Sequence, residues 1–325
     1  MLALLPAVLA AAVSFTTANS VATGDQDGPA IATNRGNAVV VWADDPDGNG
    51  VFNIPYRVVS PAGTVLASGR ANADAAGDQL VPNVAVDPDG TPSDASAVAF
   101  TVVWEDVQGT AYSVKAAGYT GITTKAYEVT ASPAGGVHHR PDVAVSAAGD
   151  ATIVWESGED IGLTRLAKAN GAVLLTPRLA NATTAGQQRR PAVAANFNGD
   201  LIVAWESGGV WARSFTPAAA GRHAEVQVST TTGAAAPTVG LDDQAYAVVG
   251  WTVSGADGWL RGLNPDGSFT GRLGAQTLTS TTTGRQDQFT VAVSPWGEVP
   301  VAYTDDNDGN LFDQILLGLG ATNSA

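Results

Sequence analysis

Residues 191–206 read PAVAANFNGDLIVAWE, and residues 141–156 read PDVAVSAAGDATIVWE. The two stretches share a leading proline, an alternating Val/Ala run, a Gly-Asp turn and a β-branched run that closes on Trp-Glu. The same order recurs at 29–42 (PAIATNRGNAVVVW), 237–251 (PTVGLDDQAYAVVGW) and 289–303 (FTVAVSPWGEVPVAY). It also recurs at 82–90 (PNVAVDPDG), with an insertion before 99–105 (AFTVVWE). The closing aromatics are Trp42, Trp104, Trp155, Trp205, Trp251 and Tyr303, separated by 62, 51, 50, 46 and 52 residues. Five of the eight tryptophans thus fall at one repeat position, so the chain is built of six repeats.

Each repeat carries the signals of four short strands. The alternating run gives the first and the β-branched run the second, followed by a variable polar loop. A third strand carries one base, Arg57, Lys115, Arg165, Arg213 or Arg261, and then a turn such as Ser60-Pro61-Ala62-Gly63 or Asn264-Pro265-Asp266-Gly267. A fourth strand, such as Glu225–Ser229, runs into a Thr-rich stretch. No segment has a helical period. Short strands with regular turn signals, repeated about every fifty residues, predict an all-β, single six-bladed β-propeller of four-stranded blades. The blades start near residues 29, 82, 141, 191, 237 and 289, and the propeller spans 13–325. The sixth repeat lacks a fourth strand, and Val13–Thr17 matches Val226–Thr230, so an N-terminal strand is expected to complete the last blade. The repeat unit P-x-V-A-x-x-x-x-G-x-x-x-V-x-W-E resembles that of bacterial secreted β-propeller repeat proteins. The resemblance implies architecture and leaves activity open, because propellers host binding modules and enzymes alike.

Composition narrows the function. The net charge is −15 and the pI about 4.3, which disfavours a nucleic-acid partner. There is no cysteine, so disulfides, thiolate metal sites and a Cys nucleophile are excluded. Residues 1–12 include an apolar run too short to span a bilayer; they read as a truncated signal peptide, with no basic residue before the run. The expected location is therefore extracellular, with no membrane span. The chain has no G-x-S-x-G, H-E-x-x-H, P-loop or dinucleotide motif, and three His leave little material for a triad.

By propeller topology the lead-in to each first strand shares a face with the loop between strands two and three. Polar lead-ins occur at Asp25-Gln26, Asp78-Gln79, His138-His139-Arg140, Gln187–Arg190 and Gln286–Gln288. Side chains that follow the repeat suit hydrogen bonds between blade connections, whereas those that depart from it suit function. Candidate ligand-binding residues on this basis are Gln26, Gln79, His138, His139, Arg140, Arg189, Arg190 and Gln288. Trp296 joins them as an exposed stacking platform, in a turn of the opposite face. The acids after the aromatic (Asp44, Glu105, Glu156, Glu206, Asp305) are expected to pair with the third-strand bases.

Two loops stand apart, ADDPDGNG (43–50) and TDDNDGN (304–310). Asp-Gly and Asn-Gly turn chemistry accounts for both. Asp44, Asp45, Asp47, Asp305, Asp306 and Asp308 also supply hard oxygen ligands, so Ca²⁺ is the possible cofactor and catalytic use comes third. The leading expectation is a secreted, non-catalytic, lectin-like binding propeller for glycan or another cell-surface polymer, alone or as a targeting subunit of a larger assembly. One alternative is a polysaccharide hydrolase or lyase using Asp25, Asp78, His139 and Arg190 at the channel mouth. Inner strands rich in Val and Ala, with Asp142 and Asp87 as the nearest acids, weigh against a two-carboxylate glycosidase. Another alternative is a structural protein-interaction subunit.

Overall fold

The computed structural model describes residues 17–19, 23–34, 36–89, 98–253, 258–271, 273, 276–277, 286–305 and 314–321. Among them every regular element is a strand. β1 (Asp25–Asn34), β2 (Asn37–Asp45), β3 (Pro55–Val59) and β4 (Val65–Arg70) form the first antiparallel sheet in chain order. The second repeat gives β5 (Asp78–Val86), β6 (Phe100–Gln108), β7 (Ala111–Tyr119) and β8 (Lys125–Thr130). The third gives β9 (His138–Val145), β10 (Ala151–Ser157), β11 (Asp160–Leu166) and β12 (Val173–Leu179), and the fourth β13 (Arg189–Ala195), β14 (Leu201–Glu206), β15 (Val210–Phe215) and β16 (Val226–Ser229). In the fifth come β17 (Ala234–Leu241), β18 (Ala247–Val253), β19 (Gly258–Leu263) and β20 (Gln276–Thr277). The sixth sheet has β21 (Gln286–Val291), β22 (Glu298–Asp305) and β23 (Gln314–Ala321).

The result is a β-propeller of six sheets, one per repeat. The first strands pack in series, β1 on β5, β5 on β9, β9 on β13, β13 on β17 and β17 on β21, around a central channel. Residues 1–12, and all but Thr17 of the expected closing strand at 13–17, lie outside the described residues.

The repeated aromatic fills the space between sheets. Trp104 packs with Val39, Val41 and Tyr56 of the first repeat, Trp155 with Val114 and Tyr127 of the second, and Trp205 with Ile161 and Leu163 of the third. Trp251 and Tyr303 meet the fourth and fifth repeats likewise. Each thus faces its predecessor and is almost wholly buried, and a ring of that size dominates the local burial energy. Gly162 sits opposite Trp155, where a Cβ would stand 2.3 Å from the indole; only glycine lets the ring lie flat on its neighbour strand.

The first strands begin two to four residues before the leading proline, earlier than the pattern predicts, because pairing resumes across a bulge. A register shift separates the lead-in from the Val/Ala run in all six sheets. In the first five repeats the residue before the proline has φ between +47° and +55°: Gly28, Val81, Arg140, Arg190 and Ala236. Four of these are not glycine, and a left-handed backbone there costs on the order of 1–3 kcal/mol each. Something outside the strand must hold it.

Candidate functional site

For three of the four, that support comes from the acid after the tryptophan. Glu105 Oε1 accepts the backbone N–H of Arg140 at 2.6 Å, Glu156 Oε1 that of Arg190 at 2.7 Å, and Glu206 Oε1 that of Ala236. Each carboxylate therefore clamps the bulge of the next repeat. The guanidinium of Arg140 returns to Glu156 (3.1 Å) and that of Arg190 to Glu206 (3.3 Å), so backbone and side-chain contacts alternate from the second repeat to the fifth. The expected pairing of these acids with third-strand bases is corrected. Register is the reason: Arg165, Arg213 and Arg261 stand opposite Thr152, Val203 and Val249, far along the strand from the acid. Arg213 and Arg261 instead donate to Ala180 and Val228 carbonyls of the preceding repeats. Lys115, opposite Trp104, reaches Asp106.

The clamped bulges line one mouth of the channel, a cavity of about 420 Å³. Its polar wall consists of Arg140, Arg190, Asp142, Asn83, Thr238 and Thr290, and Pro141, Pro191 and Pro237 belong to its apolar wall. Asp142 follows Pro141 on the innermost strand. Asn83 donates to its Oδ1 at 2.6 Å from the second repeat, the Val143 N–H reaches the same oxygen, and the Val193 N–H from the fourth repeat reaches Oδ2 at 2.7 Å. This carboxyl thus ties three repeats together. It borders the channel yet is packed round by protein, and burial pushes its pKa up from the ordinary 3.8 to about 6.

The other predicted residues separate into groups. Arg140 and Arg190 line the mouth, and exposed Arg189 flanks a neighbouring cleft with Glu206 and Gln187. Gln79 and His138 are both buried and hydrogen-bonded within the fold, away from the mouth lining. Gln79 bonds Ala76 O and Asp106 and accepts the Trp104 indole N–H at 2.6 Å. His138 holds Gly135 O at 2.8 Å. Gln26 likewise turns to Thr23 O and Asn19. His139 is half-buried, its Nδ1 3.2 Å from Glu105 and its ring edge-on to Tyr112 at 4.4 Å.

Asp25 lies exposed at the start of β1, and Asp78 Oδ1 accepts the Phe52 N–H, so the four candidate catalytic groups do not converge in the mouth. Gln288 belongs to β21 by its backbone, and its side chain lies outside the described residues. Trp296 is 75% exposed in the β21–β22 turn, at the opposite end. A second cavity of about 410 Å³ opens there, walled mainly by Val, Ala and Pro with Phe197 beside it.

The 43–50 loop is a self-bonded turn. Asp45 is buried and accepts the Asn49 and Gly50 amides, while Asp47 accepts from Asn49. Asp306 and Asp308 lie outside the described residues, as does the side chain of Asp305. Among the described residues no group of three or more His, Asp or Glu converges on a metal position. Sequence reasoning noticed Asp142 only as a nearby acid and missed Asn83 and the Glu clamps. The available signal was a non-glycine residue before proline in each repeat that follows a Trp-Glu.

No family model and no curated protein sequence matches the chain. Solved structures do. An ulvan lyase of a polysaccharide lyase family is similar over 92% of this chain and 82% of its own, with TM-score 0.59 and 10% identity. The Dos1 propeller is similar over 86% of this chain and 65% of its own (TM-score 0.53, 10% identity). A subtype N10 neuraminidase-like protein from a little yellow-shouldered bat isolate is similar over 94% and 96% (TM-score 0.52, 11% identity). At such identities the likeness establishes the propeller fold alone.

Proposed function

We propose that this chain is a secreted binding propeller that holds glycan or another cell-surface polymer at the Arg140–Arg190 mouth without turning it over. The observation that carries this reading is the cavity itself: forked donors, amide and hydroxyl groups and one carboxyl converge on a preformed space. Its size falls within the roughly 300–1,000 Å³ of small-molecule sites. The two guanidiniums are fixed in advance by Glu156 and Glu206, which lowers the ordering cost of binding. A turnover reaction on a glycosidic bond calls for two carboxyl groups in opposed protonation states. Among the described residues, Asp142 is the one carboxyl lining this mouth.

A second reading, polysaccharide hydrolase or lyase, has one observation in its favour. Buried Glu105 orients His139 beside Tyr112, directly before Arg140, which is the arrangement of a positioned base. A glycan array run beside a reducing-sugar and unsaturated-product assay separates the two. The binding reading expects retention without product, and retention that survives His139→Ala. Product release that His139→Ala abolishes contradicts it in favour of the enzyme. Capture of a protein partner with no glycan retained supports the structural-subunit alternative instead.

A further inference from the structure

Resting on the binding reading, we infer that the mouth cavity takes an anionic substituent of its ligand, a carboxylate or a sulfate, between Arg140 and Arg190, and that Asp142 takes up one proton from solvent as it does so. The charge inventory carries the argument. Of the residues lining the cavity, Arg140 and Arg190 are the cations and Asp142 is the anion. On a chain of net charge −15 the cavity lining itself thus carries two cations to one anion, with the glutamates that pair with those arginines standing behind them. Each guanidinium spends one nitrogen on a glutamate that already accepts a bulge amide, so the arginines are held in place with donors to spare.

An anion seated between them also approaches Asp142, and two carboxylates in a partly dehydrated space repel strongly. A proton on Asp142 removes that repulsion. Burial makes protonation accessible: it raises the Asp142 pKa to about 6 although the Val193 and Val143 amides, which favour the charged form, oppose the rise. Among the described residues lining the cavity there is no acid besides Asp142. β9 supplies Arg140 and β13 supplies Arg190; β5 supplies neutral Asn83. Val154 of β10 lies opposite, with Glu156 turned to Arg140 and the Arg190 amide. β17 and β21 bring Pro237, Thr238 and Thr290, none charged. Histidine is the other side-chain type that changes charge in this range, and His139 sits behind Arg140 on Glu105, so it needs its own control.

Titration calorimetry on the whole chain tests this with galacturonate oligomers, a sulfated galactan oligomer and a neutral galactose oligomer of equal length. Measurements run at pH 5.5 and 7.5, each in two buffers of different ionisation enthalpy. A charged oligomer is expected to bind about tenfold or more tighter than the neutral one, as for a charge-assisted pair. Its affinity should rise about tenfold from pH 7.5 to 5.5, with about one proton taken up at the higher pH. Whichever of the uronate and sulfate binds tighter identifies the substituent.

The double change Arg140→Gln with Arg190→Gln should abolish the preference for charge. Asp142→Asn should abolish the pH dependence while binding persists, and His139→Gln should leave it intact. Equal affinity for the neutral oligomer, or pH dependence that survives Asp142→Asn, overturns this inference and leaves the binding reading standing. No retention of any glycan overturns both. Should a variant melt early, the wild-type preference for charge and its buffer-derived proton count decide alone.

Discussion

Two halves of the ring solve the same junction differently. From the second repeat to the fifth, Glu105, Glu156 and Glu206 each reach over the boundary to the next bulge amide. At the same position the first, fifth and sixth repeats carry Ala43, Thr252 and Thr304. There the junctions use other means. Gly28 takes the bulge conformation without steric cost and bonds its neighbour Asp27, Phe52 bridges the first and second repeats, and Thr238 Oγ1 accepts the Val291 N–H between the fifth and sixth. The contrast teaches that Trp-Glu is a boundary device. Each glutamate meets a strained, non-glycine bulge at the mouth, and Glu156 and Glu206 also hold the guanidiniums of Arg140 and Arg190, whereas strained Val81 follows Ala43 and has no such clamp.

The largest effect should come from breaking a clamp. Glu156→Ala leaves the Arg190 amide without its acceptor and Arg140 without its counter-ion; both contacts are half-buried. The expected loss is about 3 kcal/mol in chemical denaturation, in the range for a charged hydrogen-bond acceptor removed from a partly buried network. Thr252→Ala, the same position in the other half, should cost under about 1 kcal/mol. Equal losses would dissolve the comparison.

A smaller effect belongs to Asp142, which the clamped half surrounds. Its pKa in the fold lies above the ordinary 3.8, at about 6, so the folded chain binds the extra proton between those values. Stability contributed by this group is therefore greatest below about pH 4, falls as pH rises to about 6 and is level above that. The fall should be on the order of 2 kcal/mol once water in the channel is allowed for, and Asp142→Asn should flatten it. Denaturation midpoints measured between pH 4 and 7 check this. A slope unchanged in the variant assigns the titration to another group.

The smallest effect sharpens the contrast from the strained side. Val81 holds φ +49° although β-branched, and the residue before the clamp position, Trp42, is followed by Ala43 in place of glutamate. Val81→Gly is expected to stabilise the chain by about 0.5–1 kcal/mol, because glycine adopts that backbone freely. At clamped Arg190, glycine should bring no such gain, since the loss of the Glu206 ion pair opposes it.

Much of this was legible in the sequence. The Trp spacing gave the repeats, and alternation placed the strands and the loop-bearing mouth. The partners of the glutamates were not legible, because a cross-repeat contact depends on a bulge that shifts register by one residue and turns the side chain with it. Arg140 and Arg190 stood out because they depart from the glutamine theme, whereas Gln79 looked equally polar and proved to be the acceptor of a buried indole. That difference rests on which way a residue points from the bulge. Asp142 occupies the position of Ala192 and Thr238, and its chemistry depends on Asn83 and Val193 in two other repeats.

Hydrogen exchange of the bulge amides tests the clamp most directly. In the wild-type chain the Arg140, Arg190 and Ala236 amides should exchange slowly, like neighbouring strand amides. In Glu156→Ala only the Arg190 amide should accelerate, by about tenfold or more, while Arg140 and Ala236 stay protected by Glu105 and Glu206. Unchanged protection at Arg190, or equal loss at all three, would contradict the account.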